Sequence, residues 1–107
     1  MSSSFTNPED VKLETLARAT QRRTGSEQAA ALRDSTGRTY VASNISTSSF
    51  SLDCLEAVFT VAMASQILEV EAVVVVGEGA INITPVREYA PLCVIWRIDA
   101  TGEIVAL

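Results

Sequence analysis

The sequence predicts a single α/β domain, and three observations support this fold class. An amphipathic segment over about Pro8–Arg23 predicts a first helix. A continuous β-branched run, Ala72–Val76, has no polar alternation, which is typical of an interior strand covered on both faces. Two Asp-x-Thr-Gly sequences, Asp34–Gly37 and Asp99–Gly102, predict tight turns between paired strands. The chain has 107 residues, 48% of them hydrophobic, so it is long enough and apolar enough for one core.

The first helix begins with Asn7 as the expected N-cap, since Pro8 suits the first helical position and acidic residues follow it. The polar stretch Asn44–Ser51 is predicted to be a loop. Four strands are predicted around the two turns: Gln28–Arg33, Arg38–Ser43, Leu92–Ile98 and Glu103–Leu107.

A second helix is predicted over Leu52–Leu68, with Ser51 or Asp53 as its N-cap. One face of this segment is apolar, and Val58, Val61 and Ala64 leave little solvent-exposed surface on the other face. The helix is therefore predicted to be buried between the sheet and another layer or a second subunit.

The charge balance and the N-terminal sequence exclude several classes of function. With 8 basic and 13 acidic residues the net charge is −5, so binding to a nucleic-acid backbone is not expected. Met1–Phe5 lacks the features of a signal peptide, and the longest apolar run, Ala72–Gly77, is too short to span a bilayer. We therefore expect a cytoplasmic protein that does not bind membranes, with residues 1–7 as a flexible N-terminus.

The chemistry available to the chain is restricted because the sequence contains no histidine. Ser-His-Asp and Cys-His catalysis are therefore excluded. Cys54 and Cys93 both lie in apolar segments, so we expect them to be reduced.

Cys54-Leu55-Glu56 is the motif most suggestive of chemistry. In zinc-dependent nucleoside deaminases a Cys or His holds the metal, and a Glu two residues later moves protons between the metal-bound water and the base. A Pro-Cys-x-x-Cys motif completes such a site. Here the corresponding segment keeps Pro85, but Val86 and Tyr89 occupy the two cysteine positions.

The order of helix, hairpin, polar loop, buried helix and interior strand over residues 8–107 resembles the cytidine deaminase family. The resemblance implies a three-layer α/β/α fold with a mixed central sheet of about five strands. Ala29–Leu32 is similar to the family's Gly-Ala-Ala-Leu strand, and the segment around Asn44 and Ser46 is similar to its ribose-binding loop. The resemblance thus implies Asn44 and Ser46 as substrate-binding positions, Glu56 as a remnant proton shuttle and Cys54 as a remnant ligand position.

The sequence also departs from the family pattern. Ser46 replaces a ribose-binding Glu, and Ser26 lies near the position of an aromatic residue that stacks on the base. At most one helical turn is predicted between Pro85 and Pro91, where the family has a helix with two zinc cysteines. The chain, which ends at Leu107, is expected to be a trimmed version of the fold.

Two interpretations of Arg87 remain open at this stage. Its guanidinium can reach Glu56 and replace the positive charge of the zinc ion with a salt bridge. Alternatively, Arg87 belongs to a solvated loop, as most surface charges do.

The preferred interpretation is a pseudoenzyme that has lost zinc and deaminase activity and acts by binding or by assembly into a homodimer or homotetramer. Under this interpretation no cofactor is expected. One alternative is an active cytidine or nucleoside deaminase, a hydrolase whose unconventional zinc site combines Cys54, Cys93 and a carboxylate. Another is a sensor that binds a nucleoside without turnover.

Overall fold

The helices and strands are those of a computed structural model, which describes residues 5–107. Within this range the chain forms three helices and seven strands. In chain order they are α1 (Pro8–Thr24), β1 (Gln28–Asp34), β2 (Thr39–Ser43), β3 (Ile45–Ser46), β4 (Ser51–Leu52), α2 (Cys54–Ala64), β5 (Val70–Gly77), α3 (Thr84–Tyr89), β6 (Val94–Ile98) and β7 (Ile104–Ala106).

The central sheet has five strands in the order β2-β1-β5-β6-β7. β5 and β6 are parallel, and the other neighbouring pairs are antiparallel, so the sheet is mixed as predicted. β5 is the middle strand, and its residues Ala72–Val76 are all buried. This placement confirms the prediction made from the unbroken β-branched run.

Helices cover both faces of the sheet, which confirms the three-layer α/β/α fold. Ala29 and Ala31 of β1 belong to the apolar cluster that includes Leu13 of α1. Ala30 and Leu32 point to the other face and join the cluster that contains buried residues of α2 and α3. Because successive side chains of a strand alternate between faces, the small residues of β1 serve two cores at once.

Local signals in the sequence explain the bounds of α1. The Asn7 side chain accepts a hydrogen bond from the Glu9 amide at 2.9 Å, and Gly25, with φ of 67°, ends the helix in a left-handed conformation. Residues 1–4 of the N-terminus predicted to be flexible lie outside the described residues. Phe5, the first described residue, packs its ring against Trp96, with the ring centroids 5.4 Å apart.

α2 is shorter than the predicted Leu52–Leu68. It starts after Asp53, because this side chain caps the first turn, and it ends where Gln66 adopts a positive φ of 61°. Of the residues predicted to leave little exposed surface on its second face, Val58 is fully buried and Val61 is 41% exposed within the single chain.

The segment around Pro85 forms more helix than predicted. α3 has six residues and therefore exceeds one turn, because Pro85 is accommodated inside the first turn and the helix begins at Thr84. The predicted loop Asn44–Ser51 contains the short β3–β4 ribbon, in which Ser46 pairs with Ser51.

A buried ionic cluster joins α1 to the sheet. Arg33 on β1 contacts Asp10 of α1, with Nη2 and Oδ1 3.0 Å apart, and its Nε donates to Glu71 of β5. The indole nitrogen of Trp96 on β6 donates to the other Asp10 oxygen at 3.2 Å. Opposite charges and hydrogen bonds thus offset much of the cost of burying Arg33 and Asp10, while the buried Arg33 Nη1 has no hydrogen-bond partner among the described residues.

The two predicted Asp-x-Thr-Gly turns have the same hydrogen bonds. Asp34 Oδ1 accepts from the amide and hydroxyl of Thr36, and Asp99 Oδ1 accepts from the same two groups of Thr101. Burial works to raise the pKa of Asp34, but the hydrogen bonds from Thr36 and nearby amides outweigh it and leave the pKa below its ordinary value.

Candidate functional site

Cys54 is the first residue of α2, and its side chain is fully buried. Burial raises the pKa of this thiol to about 12, and the neighbouring charge of Asp53 acts in the same direction. The raised pKa and the burial describe an inert structural cysteine, because a reactive thiol needs exposure and a lowered pKa.

Glu56 takes part in the N-terminal cap of α2. Its Oε1 accepts from the Asp53 amide at 3.0 Å, while Asp53 Oδ1 accepts from the Glu56 amide at 2.8 Å. This reciprocal pair is a capping box. Asn82, in the loop before α3, donates its amide to Asp53 Oδ2 at 2.8 Å and its side-chain nitrogen to Glu56 Oε2 at 3.4 Å. Both oxygens of the predicted proton shuttle therefore accept hydrogen bonds within the protein.

The two positions at which the resemblance predicts zinc cysteines, Val86 and Tyr89, make other contacts. Val86 is fully buried and belongs to the same apolar cluster as Cys54. The Tyr89 hydroxyl donates to the carbonyl oxygen of Leu68 at 2.8 Å, and its ring meets that of Phe59 edge-on at 5.7 Å. Hydrophobic contact and an aromatic pair thus join α3 to α2 and to the loop after it.

The side chains present at this site do not fit a catalytic zinc. Such a site needs three protein ligands, and Cys54 is accompanied by Val86 and Tyr89 where the other two are expected. Over residues 5–107, no three or more His, Cys, Asp or Glu side chains come together in an arrangement that could hold a metal ion.

Cys93, the second possible thiol ligand, is buried close to β6, and neither cysteine is in a disulfide. Burial raises the pKa of the Cys93 thiol, although the nearby charge of Arg87 opposes this. The guanidinium Nη1 of Arg87 lies 3.9 Å from the Cys93 sulfur.

Neither interpretation of Arg87 describes its environment. Its Nη1 donates to the carbonyl oxygens of Pro91 and Cys93, at 3.0 and 2.7 Å, and its Nη2 donates to the main-chain oxygen of Leu107 at 2.9 Å. The hypothesis of a salt bridge to Glu56 is wrong, because the guanidinium donates to main-chain oxygens just before β6 and just after β7. Arg87 therefore holds this hairpin against α3.

Asn44, predicted to bind substrate, continues the β1–β2 pairing. Its Oδ1 accepts from the Gln28 amide at 3.2 Å, and its own amide donates to the Gln28 carbonyl at 3.4 Å. Ser46 is exposed on β3, and the Ser26 hydroxyl donates to the Gln28 carbonyl at 2.9 Å. The substrate-binding roles of Asn44 and Ser46 stay predictions.

Gln28 is a central residue of this region that the sequence patterns did not single out. It is only 2% exposed, its Oε1 accepts from the Cys54 amide at 2.7 Å, and its Nε2 donates to the Glu78 carbonyl at 2.8 Å. A polar residue at the start of an alanine-rich strand was the available signal, since buried Gln is uncommon without hydrogen-bond partners.

Two surface grooves lie away from Cys54 and Glu56. One, of about 420 Å³, lies at the other end of the strands and includes Leu68, Tyr89 and Leu92 in its wall. The other, of about 660 Å³, is polar and has Glu14, Glu27, Glu78 and Asp99 among its lining residues.

None of the helices over residues 5–107 is long and apolar enough to cross a membrane.

The layers and the mixed five-stranded sheet define the class of protein as a three-layer α/β/α domain whose second helix begins at a Cys-x-Glu sequence. The crystal structure of a cytidine deaminase from Mycobacterium leprae superposes with a TM-score of 0.67 at 16% identity, covering 89% of this chain and 90% of that one. The cytidine deaminase from Bacillus anthracis gives a TM-score of 0.68 at 15% identity, covering 94% and 83%.

The sequence profile of the family described as cytidine deaminase-like matches residues 6–102. This chain therefore belongs to the cytidine deaminase-like family. No curated protein sequence matches it significantly.

Proposed function

We propose that this protein is a cytidine deaminase-like pseudoenzyme that works without zinc and acts by binding or by assembly into a homo-oligomer. The observation that supports this most directly is the buried contact of Val86 in the Cys54 cluster. An apolar side chain there supplies no electron pair to a metal ion, and one thiol alone holds zinc too weakly.

The environment of Glu56 supports the same proposal. A proton shuttle must reach a water molecule and a substrate with its carboxylate. The Glu56 oxygens instead accept from the Asp53 amide and the Asn82 side chain, so the carboxylate stabilises the start of α2. The residue is thereby explained without a catalytic step.

The outer face of α2 is the surface we propose for assembly. Thr60, Val61 and Ala64 are exposed there, and none of them carries a charge. An uncharged face of this kind, on a helix that also packs against the sheet, can be buried between two subunits at little cost in desolvation.

Zinc content tests the proposal. We would measure zinc per chain by elemental analysis of the purified, untagged protein, with Cys54→Ser as the matched variant. The expected value is near zero for both proteins, with no deamination of cytidine. Close to one zinc per chain, lost in Cys54→Ser, would refute the proposal and support the alternative of an active deaminase.

Calorimetry with cytidine and uridine separates the remaining alternatives, because heat of binding without turnover would identify a nucleoside sensor.

Light scattering at micromolar concentration tests assembly. A dimer or tetramer is expected, and Val61→Glu should shift it toward the monomer because it places a charge in the contact. The matched substitution Val11→Glu, on the exposed side of α1, should leave the mass unchanged. A monomeric wild-type protein would argue against assembly.

A further inference from the structure

The Gln28 carboxamide is buried where three segments meet. It bridges the first turn of α2, through the Cys54 amide at 2.7 Å, and the loop after β5, through the Glu78 carbonyl at 2.8 Å. Its main-chain groups are bound by Asn44. All four of its hydrogen-bonding groups thus have partners inside the protein, although its side chain performs no step of any chemistry described above.

The two partners of the side chain select for a carboxamide. One is an N–H donor and the other is a carbonyl acceptor, so the side chain must present an acceptor and a donor together, and a carboxamide carries both on one carbon without any change of protonation. A carboxylate would meet the Glu78 carbonyl without a proton to donate, and an apolar group would leave both partners unsatisfied at a cost of about 1–3 kcal/mol each.

The chain packs closely on Gln28 at the end of β5 and in the loop that follows. A Cβ at Gly79 would lie 3.1 Å from the Gln28 Nε2, whereas a Cβ at Gly77, the last residue of β5, would meet main chain, 2.2 Å from the Glu27 carbonyl oxygen and 2.8 Å from the Gln28 Cα. Both glycines have positive φ angles. Arg97 holds the same loop independently, since its Nη2 donates to the carbonyl oxygens of Gly77 and Gly79.

We propose that the Gln28 carboxamide is an internal ligand that keeps the space between α2 and the loop after β5 closed. Removing it opens a polar cavity whose complementary ligand is a small primary carboxamide. The inference goes beyond the proposed function, because it concerns how the Gln28 side chain fills this region and not whether zinc is bound. In the wild-type protein the Gln28 carboxamide is attached to the chain beside its partners, so its effective concentration there is high and a dissolved amide cannot displace it.

The test is chemical rescue of Gln28→Ala by acetamide, which is the fragment that this truncation removes. Gln28→Ala should unfold at a lower temperature than the wild-type protein, and acetamide should raise its Tm in a saturable manner. The wild-type protein should show no such rise. The matched variant is Gln21→Ala, whose side chain donates to the Glu27 carbonyl in an exposed position. It loses the same fragment without opening a cavity, so no rise is expected.

N,N-dimethylacetamide separates amide recognition from a solvent effect, because it has a carbonyl oxygen but no N–H. An equal rise with both compounds, or an equal rise in Gln28→Ala and Gln21→Ala, would overturn the proposal. A folded Gln28→Ala protein that does not respond to acetamide would overturn it as well.

If Gln28→Ala does not fold, NMR of the wild-type protein decides. The Gln28 side-chain protons should exchange with water much more slowly than those of Gln21, with a scalar coupling across the hydrogen bond to the Glu78 carbonyl. Exchange as fast as that of Gln21 would refute the internal ligand. These outcomes do not depend on zinc content, so stoichiometric zinc would refute the proposed function and leave this result unchanged.

Discussion

The cap of α2 leads to a prediction that can be worked out in detail. Asp53→Ala removes two acceptors at once, namely Oδ1 for the Glu56 amide and Oδ2 for the Asn82 amide, both at 2.8 Å. Loss of an N-cap costs about 0.5–2 kcal/mol, and loss of a further hydrogen bond costs about 0.5–1.5 kcal/mol. We therefore expect the free energy of unfolding to fall by about 1–3.5 kcal/mol.

A second substitution separates the two contributions. Asp53→Asn keeps an oxygen for the Glu56 amide but turns an NH₂ group toward the Asn82 amide. It should retain the helix cap and lose the anchor of the loop before α3, so its loss of stability should be smaller than that of Asp53→Ala.

Urea unfolding followed by circular dichroism measures both differences, and thermal unfolding provides a check, since 1 kcal/mol shifts Tm by roughly 4–8 °C in a domain of this size. Thr15→Ala, on the exposed face of α1, serves as a control that leaves the cap of α2 intact. A change below about 0.5 kcal/mol for Asp53→Ala would refute the assignment of Asp53 and Glu56 as structural groups.

The remaining predictions concern titration and the C-terminal hairpin. The pKa of Cys54 rises from 9.0 to about 12 on folding, so the protonated thiol should stabilise the native state below pH 9. This contribution should be lost as the pH rises from 9 to about 12, so the unfolding free energy should fall more steeply there in wild type than in Cys54→Ala. An equal pH dependence in the two proteins would contradict the prediction. The pKa of Asp34 is lowered, so its stabilising effect should be present above its ordinary value of 3.8 and should disappear on acidification, less steeply in Asp34→Asn. Arg87→Lys cannot bridge three main-chain oxygens and should accelerate hydrogen exchange of the Leu107 amide, whereas Arg22→Lys, on the exposed end of α1, should not.

The sequence predicted the architecture because its strongest signals are local and periodic. The β-branched run of β5 and the two Asp-x-Thr-Gly turns each depend on neighbours within a few residues. The bounds of α2 were predicted less well, since the apolar pattern continues through Ile67 and Leu68 although the helix ends at Ala64. Hydrophobicity therefore indicated burial beyond the point where the backbone leaves the helix.

The site was predicted only in part because its contacts join distant segments. The family resemblance directed attention to Cys54 and Glu56, which lie two residues apart. The hydrogen bonds of Gln28 to Cys54 and Glu78 span 26 and 50 residues, so no motif could reveal them. Arg87 illustrates the same difficulty, since the sequence showed its charge but not the carbonyl oxygens around it.

The buried position of Arg33 has a consequence for how the sheet finds its alignment. β1 contains three consecutive alanines at positions 29–31, whose identical side chains distinguish poorly between one register and the next. A slip of one residue would exchange the two faces of the strand and move Arg33 from the layer of Asp10 into the apolar layer beneath α2. Burying an unpaired charge in that apolar layer would be strongly unfavourable. A single arginine thus makes the misaligned sheet unfavourable, and the alanines remain free to provide the close packing of helices on both faces.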